Sequence, residues 1–227
     1  MTRGHLSQVK AVKESSRPKP RLDSLSIGIV LFTLFLLVKG AGLIFSSKQF
    51  DPLPPLVMVG GDPYVRALMR TISASEANGS DPYALLYGGS HVESLKQHPD
   101  RCVTIVRGPN MGRCTTAAGR YQFLTSTWLE KARRYHPLAR SGNLSAYSFE
   151  PEYQDRVVYA WLTDGRAWDA DIPTLLREGH LDQVLELLSP TWTSLGHGIE
   201  SNVMTPHLQE IYQQVLTEER AKVDLLH

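Results

Sequence analysis

Regularly spaced apolar residues mark the start of the globular body of this chain. Asp62 suits the N-cap position of a helix, and Pro63 suits the first helical position. The residues that then recur at i, i+3, i+4 and i+7 are Val65, Leu68, Met69 and Ile72. The pattern predicts a helix with one buried face, which ends close to Glu76.

The remainder of the body alternates β-like and helical patterns. Two short pieces, "YALLYGG" and "CVTIVRG", begin at residues 83 and 102 and predict a small hairpin region. The segments with helical periodicity are "TSTWLEKARRY", "PEYQDRVVYAWL", "DIPTLLREG", "LDQVLELL" and "TPHLQEIYQQVL". The fold class that this predicts is α+β, a mostly helical domain over residues 62–222, followed by a short tail, 223–227.

An uninterrupted apolar stretch precedes the body. Residues 24–45, "SLSIGIVLFTLFLLVKGAGLIF", carry a single charge, Lys39, and are long enough to cross a bilayer as a helix. The tail before them, residues 1–23, has a net charge of +4, which predicts an N-terminus in the cytoplasm. The expected location is the inner membrane, crossed once, with the body in the periplasm. A cleaved signal peptide is the alternative, but its basic region would be unusually long and no A-x-A site follows.

Composition adds a linker, a charge balance and a disulfide to this picture. Residues 46–61, "SSKQFDPLPPLVMVGG", are rich in Pro, Gly and Ser and predict a linker. Residues 46–227 hold 17 Lys and Arg against 21 Asp and Glu, and this acidic balance argues against a nucleic-acid partner. In an oxidising compartment Cys102 and Cys114 are expected to form a disulfide, with two free thiols as the alternative. Two cysteines alone make no zinc site, so no metal is predicted.

Glu76 is the first candidate for chemistry, because it follows Ile72 by four residues and lies at the end of the predicted helix. The helix dipole places negative charge at that end, and the apolar face nearby removes water. Both effects push a carboxyl group toward its protonated form. The residue is therefore a candidate proton donor, and a solvated helix end is the alternative.

The second candidate is "TTAAGRYQFL", residues 115–124. Small residues and Gly119 allow a close approach of the backbone to a ligand. Tyr121 offers an aromatic face and Gln122 an amide with donors and acceptors, which suits a sugar that carries N-acetyl groups. The alternative is that Tyr121 and Phe123 belong to the core.

The order of these motifs resembles the bacteriophage lambda endolysins, glycoside hydrolase family 104. The similarity spans about residues 64–220, and its most specific part is "AGRYQ" after "SE" and "YGG". It implies a lysozyme-like fold and a lytic transglycosylase that cleaves the MurNAc-GlcNAc bond of peptidoglycan. Position by position, Glu76 matches the catalytic glutamate, while Tyr121 and Gln122, with Gly119 and Arg120 beside them, match the motif that lines the glycan cleft.

Most glycosidases use two carboxyl groups, so a partner for the glutamate is of interest. Asp81, Glu93 and Asp100 lie in the β-like region, where turn or surface positions are the favoured interpretation. The segment "GHGIESN" adds His197 and Glu200, for which a loop before the last helix is favoured. No convincing second carboxylate emerges from the pattern.

The mechanism implied by the resemblance does not need that partner. The C6 hydroxyl of the sugar attacks its own anomeric carbon, and an internal nucleophile has a large kinetic advantage. Glu76 would protonate the leaving oxygen and then accept the C6 proton, without a metal or organic cofactor. Two alternatives remain: a hydrolytic muramidase, with Asp81 or Glu93 close to Glu76, and a non-catalytic peptidoglycan-binding module.

Overall fold

The computed structural model describes residues 50–51, 53–139, 147–200 and 202–224, all within one compact unit, Gln49–His227. Within these residues, no helix combines the length and the apolar character needed to cross a bilayer. The predicted cytoplasmic tail (1–23) and membrane anchor (24–45) lie outside the described part of the chain.

The described part of the unit is mostly helical and contains one small antiparallel sheet. In chain order the elements are α1 (Pro63–Glu76), β1 (Val103–Thr104), β2 (Cys114–Thr115), α2 (Thr125–Tyr135), α3 (Pro151–Leu162), α4 (Gly165–Trp168), α5 (Ile172–Arg177), α6 (Leu181–Leu188), a 3₁₀ turn (Thr205–His207) and α7 (Leu208–Asp224). The two strands pair with Val103 opposite Thr115 and Thr104 opposite Cys114. The predicted class, mostly helix with one small hairpin, is confirmed.

The piece predicted as β-like over residues 83–89 makes isolated bridges rather than a strand. Leu86, for example, bridges to Ala118. Gly88 and Gly89 adopt φ angles of 85° and 94°, in the left-handed region that interrupts extended backbone. The β region is therefore a turn-rich segment beside one two-stranded hairpin.

Helix α1 is the centre of the unit. The Asp62 side chain accepts a hydrogen bond of 2.8 Å from the backbone N–H of Tyr64, which is the N-cap that the sequence predicts. Every residue from 65 to 75 is buried, because α7, α3 and α5 all pack against this helix. Periodicity predicted one buried face, and the surrounding elements bury the polar positions as well.

Two arginines on the polar side of α1 explain how this burial is tolerated. Arg66 Nε lies 2.6 Å from one oxygen of Glu219 on α7, and Arg70 Nη1 lies 2.9 Å from the other. Burial alone would raise the pKa of Glu219, but hydrogen bonds and charges from Lys222 and Arg66 outweigh it and hold the pKa below its usual value. The carboxylate therefore stays ionised and fixes α7 against α1.

A second buried acid, Asp155 on α3, has no exposed surface. Its Oδ1 accepts a hydrogen bond of 2.7 Å from the hydroxyl of Tyr121. Its Oδ2 accepts from the hydroxyl of Tyr83 at 2.8 Å and from the backbone N–H groups of Val57 and Met58 at 2.8 and 3.1 Å. Four donors thus replace the water that the carboxylate has lost.

The same region holds much of the predicted linker in place. Arg120 donates hydrogen bonds to the carbonyl oxygens of Pro54 at 2.5 Å and Pro55 at 2.8 Å. Leu56 and Met58 are buried in the main core. The structure therefore places residues 53–61 in the folded body, although the sequence predicts a linker over 46–61. Proline and glycine indicated an irregular backbone, but the distant arginine that fixes it was not visible in the local pattern.

We expect Asp155→Ala to lower the free energy of unfolding by about 3–5 kcal/mol, because the substitution removes the acceptor of two tyrosine hydroxyls and of the Met58 N–H. Urea denaturation of the purified protein measures this. Glu186→Ala, at an exposed position of α6, is the control and should change stability by less than about 0.5 kcal/mol. Similar losses in both variants would contradict the role given to Asp155.

Candidate active site

Glu76 is the last residue of α1 and is partly exposed. The helix ends there because Ala77 leaves the helical conformation, although its N–H still bonds to the carbonyl oxygen of Ser73 at 2.8 Å. The hydroxyl of Ser194 donates a hydrogen bond of 2.5 Å to Glu76 Oε1. The carboxyl group is therefore anchored by a rigid helix on one side and by a loop hydroxyl on the other.

A polar network fixes the loop that carries Ser194. The Ser75 hydroxyl lies 2.7 Å from the Ser194 hydroxyl and donates to the Ser194 carbonyl oxygen at 3.1 Å. Thr205 Oγ1 donates to that same carbonyl oxygen at 2.9 Å, and Asn202 Nδ2 donates to the Ser75 carbonyl oxygen at 2.7 Å. The end of α1 and the segment before α7 are thus joined around Glu76.

The pKa of Glu76 is raised to about 7. Burial is the largest cause, because it disfavours the charged form. The hydrogen bond from Ser194 acts in the opposite direction, and the negative charge of Glu200 raises the pKa further. A carboxyl group with this pKa is half protonated near neutral pH, which is the property that a general acid needs.

Glu200 is thus a second acid that affects this site, because its charge raises the pKa of Glu76. The interpretation favoured from the sequence is an ordinary loop residue before the last helix. Glu200 is exposed, its Oε2 accepts a hydrogen bond of 3.0 Å from Thr193 Oγ1, and its N–H bonds to the Thr193 carbonyl oxygen at 3.3 Å. Thr193 directly precedes Ser194, so this turn places the charge of Glu200 near the serine that contacts Glu76. Nothing in the local pattern of "GHGIESN" could have indicated this fold of the loop.

The other acids considered from the sequence lie elsewhere. Asp81, Glu93 and Asp100 are exposed, and none contributes to the raised pKa of Glu76. Asp100 instead accepts a hydrogen bond of 2.7 Å from Thr125 Oγ1 at the start of α2. Among the described residues, no cluster of three or more His, Cys, Asp or Glu side chains could hold a metal ion.

The residues of the "GRYQ" motif are mostly interior. Arg120 and Tyr121 have no exposed surface. At Gly119, where φ is +75°, an added Cβ would lie 2.7 Å from Cζ of Phe149, so only glycine fits. Gln122 is partly exposed, and its amide nitrogen donates to the Gly119 carbonyl oxygen at 3.0 Å.

This placement changes the interpretation of the motif. Arg120 and Tyr121 present no surface to a glycan in this conformation because both are fully buried, and they donate hydrogen bonds to residues 54–55 and to Asp155 instead. Tyr121 is also linked to the loop that carries Ser194, because its carbonyl oxygen accepts a hydrogen bond of 3.0 Å from Nε1 of Trp192, two residues before Ser194. Of the four residues, Gln122 is the one whose side chain is partly exposed, and its contact with a glycan stays a prediction.

Two further features frame the site. Cys102 and Cys114 form a disulfide at the base of the β hairpin, with Cα atoms 5.5 Å apart. Two cavities, of about 490 and 450 Å³, are lined around Trp168 and around His180 respectively, and neither includes Glu76. The candidate site is recognised by its carboxyl group and the polar network around it.

The raised pKa of Glu76 predicts a pH dependence of stability. Between the unfolded value of 4.5 and the folded value of about 7, the native state binds more protons than the unfolded state. Stability from this group is therefore complete below pH 4.5 and is lost as the pH rises through 7, by up to about 3 kcal/mol. Urea denaturation from pH 4.5 to 8 should show this loss in the wild type and a flatter dependence in Glu76→Gln. Equal slopes in the two proteins would contradict the assignment.

Comparison with known proteins identifies the family of this chain. The sequence model of the family described as Endolysin matches residues 66–218. Bacteriophage lambda lysozyme complexed with a chitohexasaccharide is 23% identical, with 70% of this chain and 97% of that chain covered and a TM-score of 0.51. Lysozyme from bacteriophage lambda is 20% identical, with 72% and 96% covered and a TM-score of 0.47. No curated protein matches. The resemblance to the lambda endolysins is thus confirmed, and the chain belongs to the endolysin family, with a lysozyme-like fold.

Proposed function

We propose that this protein is a glycosidic bond-cleaving enzyme that acts on peptidoglycan, and that it works as a lytic transglycosylase with Glu76 as its acid and base. Membership in the endolysin family supports cleavage of peptidoglycan. The observation that carries the catalytic assignment is the carboxyl group of Glu76, held at a helix end by Ser194, with a pKa of about 7. The glycan in the complex of lambda lysozyme supports glycan strands as the ligand.

The chemistry follows from the two protonation states of one group. Protonated Glu76 donates its proton to the glycosidic oxygen, and the bond from that oxygen to the anomeric carbon of MurNAc breaks. The C6 hydroxyl of the same MurNAc then bonds to the anomeric carbon, and the Glu76 carboxylate accepts the hydroxyl proton. The glutamic acid is regenerated, no water is consumed and the product carries a 1,6-anhydro ring.

A hydrolytic muramidase is the second candidate, and the position of Glu200 favours it. A hydrolase needs a group that activates water or stabilises the positive charge on the sugar. The charge of Glu200 acts on Glu76, whereas Asp81 and Glu93 do not contribute to its pKa. Glu200 therefore replaces those two acids as the partner that a hydrolytic mechanism would use. A non-catalytic binding module is disfavoured. If Glu76 served only to end a helix, an ordinary pKa would make the fold more stable at neutral pH than the raised pKa does.

The setting that we propose is extracytoplasmic. Residues 24–45 would anchor the chain in the inner membrane, and the basic residues 1–23 would stay in the cytoplasm. The disulfide between Cys102 and Cys114 is consistent with an oxidising compartment such as the periplasm. Peptidoglycan would then be within reach of the body.

We expect Glu76→Gln to abolish cleavage of purified peptidoglycan, because glutamine cannot donate the proton, while the fold is kept. Mass spectrometry of the soluble fragments from the full-length protein tests this. Products that are one water lighter than hydrolysis products would support transglycosylation, and their absence from Glu76→Gln would support the role of Glu76. Glu186→Gln, an exposed glutamate of α6, should retain full activity.

Other outcomes separate the candidate functions. Soluble fragments with free reducing ends would support the hydrolytic muramidase. Undiminished cleavage by Glu76→Gln would exclude Glu76 as the acid. Binding to the wall without any cleavage by the wild type would support the binding module.

The neighbours of Glu76 should shift its pKa in opposite directions. Ser194→Ala removes a hydrogen bond that favours the carboxylate, so the alkaline limb of the kcat/KM profile should move above its expected position near pH 7. Glu200→Gln removes a negative charge and should move this limb to lower pH. Initial rates of peptidoglycan cleavage from pH 5 to 9 measure both shifts. Shifts in the same direction would contradict the electrostatics, and loss of all activity in Glu200→Gln would favour the muramidase.

A further inference from the structure

The β hairpin closed by the disulfide carries an unusual set of charges. Residues 101–114 contain three arginines and no acidic residue, although residues 46–227 as a whole contain 21 Asp and Glu against 17 Lys and Arg. All three arginines are exposed, at positions Arg101, Arg107 and Arg113. Within the described residues none of them forms a salt bridge, and the side chain of Arg113 donates a hydrogen bond of 3.3 Å to the side chain of Asn110. The hairpin is thus a cationic element on an acidic body.

The hairpin backbone is well defined. The N–H of Ile105 bonds to the carbonyl oxygen of Arg113 at 2.8 Å, and the N–H of Gly112 bonds back to the carbonyl oxygen of Ile105 at 2.8 Å. The disulfide closes the other end of the loop. Arg107 and Arg113 therefore flank a turn that is fixed at both ends, and less entropy is lost when a ligand binds to such a preorganised surface.

Exposed arginines without acidic partners are suited to binding anionic groups of a ligand. The guanidinium group is planar and can donate two parallel hydrogen bonds to one carboxylate. Peptidoglycan carries carboxylates on the peptide stems of its MurNAc residues, and these repel a body whose residues outside 101–114 hold 14 Lys and Arg against 21 Asp and Glu. A local cationic surface would offset that repulsion.

From these observations we infer that Arg101, Arg107 and Arg113 form a binding surface for the carboxylates of peptidoglycan peptide stems. This inference rests on the proposed function and names the part of the substrate that the enzyme recognises besides the glycan. The hairpin contributes to affinity for the wall, and Glu76 performs the chemistry. Stem-bearing strands are therefore bound more tightly than bare strands.

Val106 and Met111 have exposed side chains, at 66% and 69% accessibility, and indicate one alternative ligand for the hairpin surface. Arginines beside apolar side chains also suit an anionic lipid surface. Charge complementarity with the proposed substrate favours the stems, because every cut places the enzyme beside them. Binding to lipid is an outcome that the experiment must distinguish.

The test compares intact peptidoglycan with the same glycan strands after an amidase has removed the stems. The full-length wild type, the hairpin variant R101Q/R107Q/R113Q and the control variant R133Q/R166Q/R220Q are assayed on both. The control removes three exposed arginines outside the hairpin that likewise form no salt bridge among the described residues, so the net charge changes equally. Urea denaturation verifies that the three proteins are equally folded.

We expect the hairpin variant to raise KM for the intact wall roughly tenfold, the sum of three exposed ion pairs, with kcat unchanged. Its KM for stem-free strands should equal that of the wild type. On the intact wall, added salt should reduce the difference in KM between the hairpin variant and the wild type. The control variant should differ from the wild type by less than about twofold on both substrates. This pattern supports the inference.

Three results would overturn it: equal effects of the hairpin variant on both substrates, equal effects of the two triple variants, or loss of binding to phosphatidylglycerol vesicles without any change on the intact wall. Sedimentation with the two wall preparations is measured in parallel. If the wild type cleaves neither substrate, the proposed activity fails, and the sedimentation of the three proteins still tests the stem-binding surface independently.

Discussion

The buried carboxylate of Asp155 joins parts of the chain that lie about a hundred residues apart. It accepts hydrogen bonds from the backbone of the segment before α1 and from Tyr83 and Tyr121. Tyr121 in turn accepts a hydrogen bond from Trp192, at the start of the loop that holds Ser194. An ion in the interior is stable only when its hydrogen bonds are complete, so each of these parts has to be in place together.

Three buried or partly buried acids in this protein have different surroundings. Glu219 contacts two arginines and a lysine, and its pKa lies below the usual value. Asp155 receives four hydrogen bonds. Glu76 receives one hydrogen bond, from Ser194, and among the described residues no cation pairs with it, so its pKa is raised to about 7. The weakly satisfied carboxyl group is the one suited to exchange a proton.

Local patterns predicted the features that depend on nearby residues. The start of α1 at Asp62 and the unfavourable setting of Glu76 follow from capping and periodicity over a few turns. Arg120 and Tyr121 are buried because of contacts with residues that lie 34 or more positions away in the chain. The position of Glu200 depends on the conformation of its loop. Local sequence patterns contain neither kind of information. The small residues around Gly119 suggested a ligand, whereas the structure uses the space for the ring of Phe149.

The segment over residues 53–61 packs against the folded body through Leu56 and Met58, and this defines where the folding unit begins. A chain shortened to start at the helix cap Asp62 would lose Leu56 and Met58 from the core. It would also leave the guanidinium groups of Arg120 and Arg70 without the carbonyl oxygens that they bind. A protease that released the folded body from the residues before it would therefore have to cut before this segment, and not at the boundary that the proline-rich sequence suggests.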